Sequence, residues 1–155
     1  MNIIATQFTL KTKAFEIYVA GCAGNPHCTG CYNKETWDFN NGEPYNEEFK
    51  TKVAEKVKDY DRLIDNIMIF GGEPLDQPKD DIVDLLTFLG TLNKKIWVFT
   101  RYDYIEIPTD ILKLIDYVKC GRYMPELTVD DNIQYGIKLA TSNQYIKEGM
   151  RNSVV

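Results

Sequence analysis

No stretch of this 155-residue sequence is apolar over the length of a membrane span, and its first residues lack a basic segment followed by a continuous apolar run. Neither a membrane anchor nor an export leader is expected, and the cytoplasm is the expected compartment. Positive charge is also scarce: 18 basic against 23 acidic side chains leave a net charge of −5, which excludes a broad electropositive footprint for duplex nucleic acid. There is no internal repeat, low-complexity tract or Gly/Ser linker, so residues 1–155 are expected to form a single domain. The chain has one histidine, His27, and no Ser/His/Asp grouping or nucleophile elbow, so no side chain stands out as a conventional catalytic acid, base or nucleophile. What is present is globular composition, 44% hydrophobic and 26% charged, which excludes a disordered or collagen-like chain.

The cysteines are few and uneven. Of four, Cys22, Cys28 and Cys31 crowd into one Gly/Pro/Asn-containing loop, G-C-A-G-N-P-H-C-T-G-C-Y-N, while Cys120 stands far from them. Without an export signal a disulfide framework has no setting, and clustered thiols in a reducing compartment point to a metal. The C-x5-C-x2-C spacing leaves two fillings open. Three thiolates can hold three corners of a [4Fe–4S] cube and leave one iron open to a ligand. Alternatively His27 joins them in a Cys3His zinc site of a non-enzymatic interaction module. Against zinc, His27 directly precedes Cys28, and neighbouring residues rarely reach one tetrahedral ion together without strain. A domain with a core of this size also needs no metal staple.

Hydrophobic periodicity alternates between strand and helix. Phe15, Ile17 and Val19 alternate into Gly21 and read as a strand leading into the cysteine loop. From Asn46, a candidate N-cap, Phe49, Val53, Val57, Tyr60 and Ile64 recur at helical spacing. Ile67 to Phe70 and Ile96 to Phe99 are continuous apolar runs of the kind buried on both faces of a parallel sheet, with a helix carrying Ile82, Leu85, Leu86, Leu89 and Leu92 between them. A further helical stretch around Ile111, Leu112 and Ile115, a strand from Tyr117 to Cys120, and an alternation at Ile137, Leu139 and Thr141 complete an α/β pattern with a mostly parallel sheet. Ligands of such sheets bind at the carboxyl ends of the strands. The cysteine loop, the Gly71-Gly72-Glu73-Pro74 turn and Thr100-Arg101-Tyr102 each follow a strand and therefore share one edge. Two glycines allow close backbone approach to a ligand, and Glu73 with nearby carbonyls can accept hydrogen bonds from an amino group.

These motifs resemble the radical S-adenosylmethionine superfamily, whose cluster loop has C-x3-C-x2-C spacing; the first gap here is two residues longer. Within it the chain is similar to the small activating proteins of anaerobic ribonucleoside-triphosphate reductase. Their C-x-x-C-Y-N-x-x-T-W pattern is matched by Cys28, Cys31, Tyr32, Asn33, Thr36 and Trp37. A strand-end W-V-[WF]-T-G-Y element is matched by Trp97 to Tyr102 with Arg101 in place of glycine, and an N-Q element by Asn143 and Gln144. The resemblance implies a partial (β/α) barrel and a [4Fe–4S] cluster on Cys22, Cys28 and Cys31. It implies S-adenosyl-L-methionine bound against Tyr32, Asn33, Gly71, Gly72, Glu73, Pro74 and Thr100, with the turn taking the methionyl amino group. The implied activity is reductive cleavage of that cofactor to generate the glycyl radical of the large reductase subunit, with a flavodoxin-like electron donor. Another small radical enzyme of the superfamily would share the cysteine loop and the GGEP turn but lack the Y-N-x-x-T-W and N-Q elements. Trp37 and Trp97 are expected to pack, Asn143 and Gln144 to satisfy backbone groups, and Cys120 to be a small buried hydrophobe.

Overall fold

The computed structural model describes residues 1–152. Four strands form its parallel heart: β2 (Ala14–Val19), β4 (Asn66–Gly71), β5 (Lys95–Phe99) and β6 (Tyr117–Cys120). Three antiparallel strands extend it: β1 (Asn2–Thr9) on β2, the two-residue β3 (Glu43–Pro44) on β1, and β9 (Tyr145–Glu148) on β6. The order is β3-β1-β2-β4-β5-β6-β9. This is a mixed α/β sheet with β3 and β9 as its two ends, and among the described residues no pairing closes it into a barrel.

The continuous apolar runs have a simple cause, because both faces of the parallel strands are covered. Phe15, Ile17, Val19, Ile67, Ile69, Ile96, Val98, Val118 and Cys120 meet the apolar stripes of α1 (Glu47–Asp59) and α2 (Lys79–Gly90). On the opposite face Ala14, Met68 and Trp97 pack with Leu139 and Ile146. The register aligns Phe15 with Ile67 and Ile67 with Ile96, so like residues stack in rows across the sheet. Asn46 caps α1 as its sequence suggests, its side chain accepting from Phe49 N at 3.0 Å.

Three local expectations are corrected. The helix begun at Asn46 ends at Asp59, with Tyr60 as its C-cap, so Ile64 reaches the core from the connection after it. The stretch around Ile111 is a single turn, α3 (Thr109–Leu112). The alternation at Ile137, Leu139 and Thr141 is not one strand: Ile137 lies in β8 (Ile137–Lys138), which forms a hairpin with β7 (Ile133–Gln134), and Thr141 makes a lone bridge to Thr128. The strand that pairs with the sheet there is β9, and at the other end β1 has no counterpart in the sequence reading. Beyond Ile3, where its pairing with β3 stops, β1 carries polar residues such as Thr6 and Gln7, and β9 at the sheet's edge is likewise polar on one side, so their apolar signal is diluted.

Candidate functional site

The carboxyl ends of β2, β4, β5 and β6 converge on one cavity of about 240 Å³. Its lining includes Cys22, Cys28, Cys31, Tyr32, Asn33, Gly71, Gly72, Glu73 and Thr100, together with Phe70, Phe99, Arg101 and Lys119. Every residue expected to bind metal or cofactor therefore borders this cavity except Pro74, which is buried at the start of a short 3₁₀ turn behind it.

The two glycines of the GGEP turn have a reason visible in the backbone. A Cβ on Gly71, whose φ is +122°, would lie 2.2 Å from the Val19 carbonyl oxygen; one on Gly72 would lie 2.2 Å from that of Gly21 and 2.7 Å from that of Thr36. The close approach they permit is thus to the chain's own backbone at the root of the cysteine loop. Gly72 N and Glu73 N donate to Val19 O and Gly21 O at 2.9 and 2.8 Å. The Gln77 amide locks the same corner, donating to the carbonyls of Ala20, Gly21 and Glu73. Nothing in the sequence pattern marked Gln77 for this.

Glu73 is buried and its carboxylate accepts three hydrogen bonds from within the chain. It accepts from Thr100 Oγ1 at 2.6 Å, Arg101 N at 2.9 Å and Leu75 N at 3.1 Å. Burial pushes its carboxyl above the ordinary range, and these three donors pull against that shift. The side chain ties the β4 turn to the end of β5.

The Y-N-x-x-T-W pattern also acquires a physical content. Asn33 O accepts from Thr36 N and Thr36 Oγ1, while Asn33 N donates to Cys31 Sγ at 3.4 Å. Thr36 O and Trp37 O accept from Gly21 N and Cys22 N, returning the loop to its own root. The Trp37 ring stacks on His27 with centroids 3.8 Å apart. His27 Nε2 donates to Cys22 O at 2.7 Å, so the histidine closes the long first gap by packing and one backbone contact. Asn143 and Gln144 bond backbone groups of Arg122, Gly121, Ala140 and Thr141, as expected. Cys120 is fully buried on the helix-covered face and does not border the cavity.

Among the described residues no three His, Cys, Asp or Glu side chains stand close enough together to hold a single metal ion. Three partly buried thiols on one loop, facing a shared cavity and supported by the N–H of Asn33, suit a group larger than one ion, with one sulfur per corner. A model of the 4Fe-4S single cluster domain matches residues 12–146. The chain belongs to that family. The chain is also similar to anaerobic ribonucleoside-triphosphate reductase-activating proteins from several organisms. That of Pasteurella multocida is 32% identical over 117 residues, 69% of this chain and 72% of the relative. That of Escherichia coli K12 is 28% identical over 138 residues, 84% of each chain. That of Enterobacteria phage T4 is 30% identical over 116 residues, 72% of this chain and 71% of the relative. No solved structure matches. Among the described residues no helix is long and apolar enough to cross a membrane.

Proposed function

We propose that residues 1–155 work as one activase domain, in which Cys22, Cys28 and Cys31 hold a [4Fe–4S] cluster with one iron left open for S-adenosyl-L-methionine. The product is the glycyl radical of the large subunit of anaerobic ribonucleoside-triphosphate reductase, with the electron coming from a flavodoxin-like donor in the cytoplasm. The observation that carries this reading is the convergence of the three cysteines and the Gly71-Gly72 turn on one cavity, in a chain related to activating proteins of that reductase.

When bound, the cluster and its cofactor supply one-electron cleavage of the sulfonium and hydrogen abstraction; the protein supplies placement. Gly71 and Gly72 hold the turn against the root of the cysteine loop, so the metal side and the cofactor side of the cavity keep a fixed separation. Glu73 and Thr100 fix the two strand ends that face the cofactor. Tyr32, Asn33 and the rings of Phe70 and Phe99 border the remaining space, and the two aromatic rings, 4.1 Å apart, give it an apolar wall that limits water. Lys119 extends along the cavity edge and donates to Thr100 O and Gly121 O, its ammonium pKa lowered by burial.

The test is low-temperature electron paramagnetic resonance of anaerobically reconstituted, reduced protein. A [4Fe–4S] signal that changes shape on adding S-adenosyl-L-methionine is expected, followed by a glycyl-radical signal when the reductase is present. A protein that binds one zinc and remains silent overturns the reading.

A further inference from the structure

Arg101 follows the end of β5 and is held from several sides. Its backbone N donates to Glu73 Oε2 at 2.9 Å, and its Nη2 donates to Asp76 Oδ2 at 3.0 Å. Its guanidinium lies 4.4 Å from the centre of the Tyr102 ring, and Tyr102 OH donates to Asp76 Oδ1 at 2.5 Å. The Arg101 and Asp76 side chains are only 15% and 7% exposed, so this is a largely desolvated ion pair with a fixed geometry. The same Asp76 Oδ2 accepts from Ala23 N at 2.9 Å, which pins the residue directly after Cys22. Cys22 and Arg101 border the same cavity, on either side of this shared carboxylate anchor. Among the buried donors of this side chain, Arg101 Nε has no partner, and the Glu73 carboxylate oxygen lies 3.9 Å away.

A buried N–H without an acceptor is costly, and Arg101 borders the cavity in which a ligand sulfur of a bound cluster would supply one. We infer that Arg101, held on Asp76, is a positioning residue for the Cys22 corner of the cluster, donating to its ligand sulfur and raising the reduction potential. The inference rests on the cluster reading above and deepens it. Reduction adds an electron to the cluster, and a fixed positive charge with a hydrogen bond to a ligand sulfur stabilises the reduced form more than the oxidised one. The Asp76 contact to Ala23 N places the loop so that Cys22 stays beside the guanidinium despite the long gap before Cys28.

The experiment is a redox titration of the reconstituted cluster, followed by paramagnetic resonance, in wild type, Arg101→Met and Arg101→Lys. Circular dichroism and iron content are measured on each. In Arg101→Met the midpoint shifts to a more negative value at unchanged iron content. In Arg101→Lys, which keeps the charge but loses the guanidinium N–H groups, it falls between the two. A wild-type midpoint in folded, iron-replete Arg101→Met overturns the inference. If Arg101→Met does not fold, Arg101→Lys decides alone: a midpoint more negative than wild type at unchanged iron content supports the role and a wild-type midpoint ends it. Failure of the underlying reading looks different, since Cys22→Ser would then match wild type in iron content and spectrum.

Discussion

Thr100 Oγ1 donates to Glu73 Oε1 at 2.6 Å, joining the turn after β4 to the end of β5 within the buried floor of the cavity. Arg101 N and Leu75 N complete the set of donors on this carboxylate. Glu73→Ala leaves these donors without their acceptor, at a cost of about 3 kcal/mol. Urea denaturation of the metal-free protein is expected to show that loss, and a variant as stable as wild type would refute the clamp.

The close fit of Gly72 against the cysteine loop is tested by adding one methyl group. Gly72→Ala places carbon 2.2 Å from Gly21 O, and the turn must move away from the loop it supports. A loss of about 1–3 kcal/mol is expected from the overpacking alone, measured by thermal unfolding of the metal-free chain. Weaker cofactor perturbation of the cluster spectrum should accompany it.

His27 stacks on Trp37 and bonds a backbone carbonyl, which makes it a brace for the loop. His27→Ala is expected to lower stability by about 1–2 kcal/mol while retaining the iron content of wild type. Loss of all iron from a folded variant would return the histidine to the set of metal ligands.

Cys120 is shut off from solvent, and burial pushes its thiol up to about 11. In the unfolded chain the same thiol ionises near its ordinary value, so the folded state holds the proton over the interval between them. Stability from this group is complete below the unfolded value and is lost as pH rises through about 11. Thiol counting on the metal-free protein near neutral pH should find three reactive cysteines in the native state and a fourth only on denaturation. Four equally fast thiols would contradict the burial.

The sequence by itself determined the parallel heart of the sheet and which loops gather at its carboxyl edge. Continuous apolar runs at Ile67 to Phe70 and Ile96 to Phe99 mark strands covered on both faces, a local signal that needs no knowledge of neighbours. Three cysteines in one loop and a Gly-Gly turn after a strand are also local, and parallel topology brings them to a common edge. The tertiary structure alone decided what those residues touch. The Gly-Gly pair serves a backbone contact between β4 and the loop after β2, Glu73 is occupied by donors from the end of β5, and Asp76 joins Arg101 to Ala23 across three separate segments. The outer antiparallel strands β1 and β9 likewise carried too few apolar residues to be read locally. Contacts between residues distant in the chain depend on register and packing, for which a local pattern of side chains holds no record.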